Sequence, residues 1–233
     1  MLRTLTILVP TVALAACVAS NNSDNPMVVL QNSAIPSGQL SCSFGTLGVG
    51  SPLLPFGEIS TLSTNPYILA PLIQSRITAT AGEELQRTIL IQGADVTLTV
   101  ASPAGITLNA SDAAFQSLFS GSLAPNMGTT NEIMNLIPAT AIATIAASAG
   151  TTPFHAQVVA NIKVFGTLAG DRVESLPFQY PVTVCNDCII NELGPCPIAG
   201  TVRVGNPCNI FQDSPVDCCR ETNGTLTCPA RMQ

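Results

Sequence analysis

Apolar and polar side chains alternate most clearly between His155 and Leu168. Ala156, Val158, Ala160, Ile162, Val164 and Leu168 share one face, while Gln157, Asn161, Lys163 and Thr167 share the other. A period of two is the pattern of a half-buried strand. Ala169-Gly170-Asp171 supplies a turn, and a return strand follows with Leu176, Phe178, Tyr180, Val182 and Val184 on its apolar face. Pro177 and Pro181 are four apart, so their missing N–H groups fall on one lateral edge. A ladder cannot use that edge there, which predicts an edge strand or one bulged away from its neighbour.

The same reading places earlier strands at Pro66–Ile73, Thr88–Gln92 and Asp95–Val100. One short helix is expected where Ser111 and Asp112 make an N-terminus, Phe115, Leu118 and Phe119 fall on one helical face, and Gly121 stops the run. Another helical turn is expected from Glu132 to Ile137, ending at Pro138. Residues 18–40 carry Asn21-Asn22-Ser23-Asp24-Asn25-Pro26 and Ser37-Gly38, the composition of a flexible tether. Residues 45–57, rich in Gly and Pro, read as an irregular loop. Alternating strands with few helices predict a mainly β chain: an antiparallel β-sandwich, immunoglobulin-like or fibronectin-like, over residues 41–184. A small disulfide-rich module follows over residues 185–233.

The N-terminus has a different pattern. Met1–Thr4 carries one positive charge, Leu5–Ala16 is uncharged and mostly apolar, and the run ends Leu14-Ala15-Ala16-Cys17. That is the layout of a signal peptide over residues 1–16, and it is well short of the ~20 residues a spanning helix needs. Leu-Ala-Ala-Cys resembles the bacterial lipobox. The resemblance implies that Cys17 receives a diacylglycerol, that the chain is cut before it, and that the new amine is acylated, with palmitate the expected chain. Partnership with a membrane would then run through lipid at Cys17, since two or three acyl chains hold far more firmly than one. Val18 stands where an Asp would resemble an inner-membrane retention signal, which points to the outer membrane of the cell envelope. Residues 133–162 carry no formal charge, yet Asn135, Pro138, Ser148, Gly150, Pro153, His155 and Asn161 interrupt any long apolar run.

Composition narrows the function classes. Aromatic residues make up 4% and charged residues 9%, and losing Arg3 with the leader leaves seven basic side chains against 14 acidic ones. An acidic chain with no Lys/Arg cluster excludes nucleic acid as a partner.

Nine cysteines less Cys17 leave eight, an even number in an exported chain, which reads as a disulfide framework. Cys185, Cys188, Cys196, Cys208, Cys218, Cys219 and Cys228 crowd the tail and Cys42 stands apart. Seven is odd, so complete pairing sends Cys42 to one tail cysteine and clamps the two ends of the fold together. Adjacent Cys218 and Cys219 need separate partners. Cys185-x-x-Cys188 also has the spacing of half a zinc site or of a redox motif. The tail has no second Cys-x-x-Cys and no His, and no βαβ pattern surrounds the motif.

The alternating strand, the Gly-Asp turn and Phe178–Cys188 are similar to uncharacterised Cys-rich lipoproteins of myxobacterial type. So is Gly205-Asn206-Pro207-Cys208 with Phe211-Gln212-Asp213 and Asp217-Cys218-Cys219. The resemblance implies an envelope address and brings no catalytic residue with it.

Candidate chemistry is sparse. His155 is the one histidine, which excludes two-histidine zinc protease motifs, and no Gly-x-Ser-x-Gly elbow presents a nucleophile. Gly48-Val49-Gly50 lacks the third glycine and lysine of a phosphate loop. Glu83-Glu84 reads as a solvated turn. Asp187, Glu192, Asp213 and Asp217 gather in the tail without the spacing of a calcium loop. Asn109-Ala110-Ser111 and Asn223-Gly224-Thr225 read as caps or turns. No catalytic residue, no metal site and no cofactor is assigned. The expectation is a lipid-anchored envelope protein acting as a non-enzymatic binding or structural module toward an envelope protein or glycan. The alternative is an envelope hydrolase acting on polysaccharide or peptide.

Overall fold

A computed structural model describes residues 25–34, 42, 52–148, 153–186, 188–230 and 232. The expected signal peptide over residues 1–16, Cys17, Gly48-Val49-Gly50 and Asp187 lie outside the described residues. In chain order the first elements are β1 (Met27–Asn32), β2 (Gly57–Ser60), β3 (Tyr67–Leu69), β4 (Pro71–Ser75), β5 (Ile89–Ser102), α1 (Ala110–Ala113), β6 (Ala114–Leu123), β7 (Thr129–Asn131) and β8 (Met134–Ile137). Then come α2 (Ala139–Ala147), β9 (His155–Leu168), β10 (Asp171–Glu174), β11 (Phe178–Cys185), β12 (Ile190–Pro195), β13 (Val216–Arg220) and β14 (Leu226–Thr227).

The chain is mainly β and forms several sheets. The largest runs β2-β11-β9-β5-β6, with β10 pairing to β9. A second runs β1-β4-β7, a third β12-β13-β14, and β3 pairs with β8. One apolar cluster joins the first two sheets: Met27, Val29 and Ile73 pack in the same core as Ile91, Val96, Val158, Ile162 and Val182. The alternating strand forms as its period predicts, with Ala156, Val158, Ala160, Ile162 and Val164 buried and Gln157, Asn161 and Lys163 exposed. It turns through Ala169 and Gly170, both at positive φ, a conformation that glycine adopts without a steric penalty.

The return strand is bordered on one side by β9 over its whole length and on the other by β2 only over Val182–Cys185. Pro177 and Pro181 therefore lie where that second edge is unpaired, as their spacing requires. The β2–β11 pair is parallel, so the antiparallel arrangement expected over residues 41–184 is corrected at that strand; β12–β13, in the tail, is parallel as well.

Five further local expectations change. Met27–Asn32 lies inside the supposed tether, yet it is a strand with Met27 and Val29 buried, because its alternating apolar side chains complete the core beside β4. The expected helix over Ser111–Gly121 is one turn, α1, followed by β6. Phe115, Ser117, Phe119, Gly121 and Leu123 also obey a period of two, and pairing with β5 selects that period, leaving Leu118 74% exposed. The turn expected at Glu132–Ile137 is strand β8, and a helix begins only after Pro138. In that helix Ala141, Ile142 and Ile145 are buried on one side. Among the described residues no helix is long and apolar enough to cross a membrane.

The strand expected over Pro66–Ile73 divides at Ala70 into β3 and β4, which serve different sheets. Conversely Thr88–Gln92 and Asp95–Val100 are one strand, bulged at Gly93. There a Cβ would overlap the Ser117 carbonyl oxygen and press on the Phe165 ring.

Candidate functional site

All eight cysteines of the framework are paired: Cys42–Cys208, Cys185–Cys188, Cys196–Cys219 and Cys218–Cys228. Cys42 takes one tail cysteine, Cys208, and the adjacent pair takes separate partners. Cys185 and Cys188 bond to each other, so neither offers a thiolate to zinc while that bond is intact.

The tail does not stand apart from the β domain. Its segment Asn209–Asp213 is built into the polar ends of strands β2 and β3. Ser60 N–H donates to the Phe211 carbonyl at 3.0 Å, and Asp213 N–H donates to the Glu58 carbonyl at 2.9 Å. The Gln212 amide completes the backbone of Ile68 in both directions, accepting from its N–H at 2.8 Å and donating to its C=O at 2.6 Å. Asn209 donates to Ser63 Oγ at 2.9 Å and to the Pro66 carbonyl at 3.1 Å. A short strand such as β3, with few ladder partners, has buried N–H and C=O groups that must be paired elsewhere. Side-chain amides from the tail, together with Asn32 Oδ1 on Ala70 N–H, do that.

At the centre of this seam lies Asp213, with its backbone at φ 55°. Its Oδ1 accepts from Glu58 N–H at 2.9 Å, and its Oδ2 accepts from Tyr67 OH at 2.8 Å and from Gln212 Nε2 at 2.9 Å. Behind Tyr67 stands Tyr180, with the two hydroxyls 3.3 Å apart, and Asn32 Nδ2 donates to Tyr180 OH at 2.9 Å. Because the Tyr67 proton goes to Asp213, Tyr180 donates to Tyr67. Three groups, Asn32, Tyr180 and Tyr67, thus point their donors one after another toward a single carboxylate.

Burial pushes the Asp213 carboxyl up to about 6 against the pull of its three donors. Burial, with the Asp213 charge adding to it, drives the Tyr67 hydroxyl well above the ordinary tyrosine range. Tyr180 moves the same way, chiefly through burial. Both tyrosines are therefore fixed as donors. The cavity beside Asp213, bordered by Asn32, Ser33, Asn206 and Ser214, holds about 40 Å³, room for about one water. The carboxylate joins the tail to the domain.

The other tail carboxylates disperse. Glu192 pairs with Arg220 at 2.6 Å, and Asp217 accepts from Arg203 Nη2 at 2.7 Å and Asn191 Nδ2 at 2.8 Å. The hydrogen bonds from Arg203 hold the Asp217 carboxyl down at about 2. No group of three metal-ligating side chains occurs among the described residues. His155 is exposed at the start of β9, opposite Cys185. Glu83 and Glu84 close the turn they were read as, on Thr80 N–H and Gly82 N–H. Asn109 caps α1 through its carbonyl, not its side chain, and Asn223 Oδ1 accepts from Thr225 N–H in a turn.

Two open hollows lie among the described residues. One, about 400 Å³, lies between β6 and β8 and is bordered by Pro66, Phe115, Leu118, Ile133 and Pro138. The other, about 460 Å³, is bordered by Leu85, Gln86, Thr88, Leu90, Thr167 and Ala169. Neither is lined by a carboxylate, histidine, lysine, arginine or thiol.

No protein-family model matches the chain, and no curated protein matches it. Among solved structures it is similar to the solution structure of a protein placed in the late embryogenesis abundant (LEA) class. The identity is 13% and the TM-score 0.28, over 51% of this chain and 62% of that one. The chain thus spans about three-fifths of that protein's length.

Proposed function

We propose that the chain is a lipid-anchored protein of the bacterial cell envelope, held at Cys17, whose β domain acts as a non-enzymatic binding or structural module. The observation that carries this reading is the cysteine pairing. Four disulfides consume eight of the nine cysteines, so Cys17, at the end of an apolar leader, is the one left outside the framework. Four disulfides also suit an oxidising compartment, the one an exported lipoprotein enters. Val18 beside the anchor favours the outer membrane. The shared core of the two principal sheets supports a sandwich of the immunoglobulin or fibronectin kind, with the tail as a stapled cap.

The open hollows favour a binder over the envelope hydrolase. Glycan or peptide hydrolysis draws on carboxylates, histidine or an activated nucleophile, and the lining of neither hollow provides such a set. A serine in place of Cys17 tests the anchor. The wild-type protein takes up radiolabelled fatty acid and stays with the membrane fraction, and Cys17→Ser abolishes both. Labelling that persists in Cys17→Ser overturns the reading.

A further inference from the structure

We infer that one end of the β domain, built around Leu85 and Leu90, rests on the lipid bilayer and points the disulfide module away from it. The inference rests on the anchor reading above, and begins from where the chain enters the fold. The first described residues lead directly into β1, and Pro26 C=O accepts from Arg76 N–H at 2.7 Å. Ile77 C=O accepts from Asn126 N–H in the β6–β7 turn, and Thr78 C=O accepts from Arg87 Nη1. The 78–88 segment then feeds β5, whose first residues Ile89 and Leu90 pair with Leu168 and Thr167 beside the β9–β10 turn. Entry point, 78–88 segment and two turns are therefore one end of the molecule.

That end exposes three large apolar side chains. Leu85 is 92% exposed, Met127 68% and Leu90 56%, and Leu85 and Leu90 flank the hollow of about 460 Å³ closed by Thr167, Ala169 and Gly170. At this end arginines are matched locally by carboxylates: Arg87 pairs with Glu83 at 3.5 Å, and Arg172 pairs with Asp95 and Glu174, each at 3.1 Å. A balanced rim around exposed leucines suits zwitterionic headgroups, and apolar side chains can seat in the boundary beneath them.

The length of chain available keeps that end near the membrane. Because Met27 already lies in the core, only residues 18–24 separate Cys17 from Asn25, a reach of at most about 28 Å. A tether through residue 40 would have left the domain free to tumble, and this one keeps the entry end within a few tens of ångströms of the anchor. The disulfide module occupies the other end. β11 closes at Cys185 opposite His155, and β9 runs from there to Leu168, about 45 Å at strand rise.

The chain contains no tryptophan, so single-tryptophan reporters test the orientation in the full-length acylated protein. Leu85→Trp, Leu90→Trp and, on the module, Val204→Trp, where Val204 is 52% exposed, are each reconstituted in phosphatidylethanolamine/phosphatidylcholine vesicles. Flotation and the mass of the N-terminal peptide report the anchor separately. With a side chain seated about 5–10 Å into the headgroup–acyl boundary, brominated acyl chains reduce Leu85→Trp and Leu90→Trp emission about twofold. Val204→Trp emission does not change. Acylated protein that floats with unquenched Leu85→Trp and Leu90→Trp overturns the docking and leaves the anchor standing. Equal quenching of all three overturns the orientation. Protein that neither floats nor carries acyl mass overturns the anchor, and the docking with it.

Discussion

Removing the Tyr67 hydroxyl tests the seam most sharply, because its effect depends on pH in a direction the geometry dictates. Tyr67 is fully buried and donates to Asp213 at 2.8 Å, and Tyr180 donates in turn to Tyr67. The Asp213 carboxyl sits at about 6 in the fold and near 3.8 in the unfolded chain. The folded state therefore holds the proton more tightly. This group's contribution to stability is fully present below about pH 4 and is lost as pH rises through 6, by an amount on the order of 3 kcal/mol. The Tyr67 hydrogen bond opposes that loss, since it favours the ionised carboxylate.

In Tyr67→Phe the bond disappears and the Asp213 carboxyl moves further up. The penalty at pH 5, where the acid is largely neutral, is that of an ordinary buried hydrogen bond, about 1 kcal/mol. At pH 8 the lost partner is a charge, and the penalty rises to about 2–3 kcal/mol. Urea unfolding of wild type and variant at pH 5 and pH 8 measures both values, and the contribution of distant groups such as Asp217 cancels in the difference. A penalty that is equal at the two pH values, or smaller at pH 8, refutes the buried carboxylate seam.

Three other outcomes follow from the same structure. Replacing Cys42 and Cys208 together by serine opens a loop of 166 residues; a chain-entropy estimate of about 5 kcal/mol sets the upper bound, and a loss of about 3–5 kcal/mol in non-reducing urea unfolding is expected. Asp217→Ala removes the acceptor that half-exposed Arg203 and Asn191 share and costs about 1 kcal/mol at pH 7; because that carboxyl lies at about 2, its stabilisation is present above pH 4 and is lost as pH falls toward 2, so the variant and wild type converge in acid titration. Leu118→Lys changes stability by no more than about 0.5 kcal/mol, since that side chain points to solvent from a strand; a loss of several kcal/mol would restore the helix and its buried face.

Legibility in the sequence followed the strength of each local signal. The His155–Leu168 strand and its turn were plain because six apolar positions fall on one side and tertiary pairing has nothing to override. Parity alone sent Cys42 to the tail, although it could not choose Cys208. Where two periods fit equally, as across Phe115, Leu118, Phe119 and Leu123, only the neighbouring strand β5 decides, and that partner lies in a different part of the chain. Met27–Asn32 was hidden by the polar run before it, which set the expectation for the whole segment.

The seam was the least visible feature. Asn32, Glu58, Ser63, Tyr67, Tyr180 and Asn209–Asp213 come together through hydrogen bonds that span up to 155 residues. No spacing rule announces a side-chain amide that substitutes for a missing strand. One weak signal existed: Gln212 and Asp213 sit four and five residues after Cys208, which the parity argument already made a candidate to bond with Cys42. A staple closing there brings its neighbours against the β domain, where buried backbone groups need partners.

The central claim assigns the nine cysteines two separate duties, one to lipid and eight to each other. Intact mass spectrometry of the protein extracted from membranes without reductant, after alkylation of free thiols, measures both at once. The account predicts a chain beginning at Cys17, heavier by a diacylglycerol and an acyl group, lighter by the eight hydrogens of four disulfides, and carrying no alkyl adduct. A chain that starts elsewhere or has an alkylated Cys17 contradicts the anchor, and alkyl adducts on the other cysteines contradict the framework.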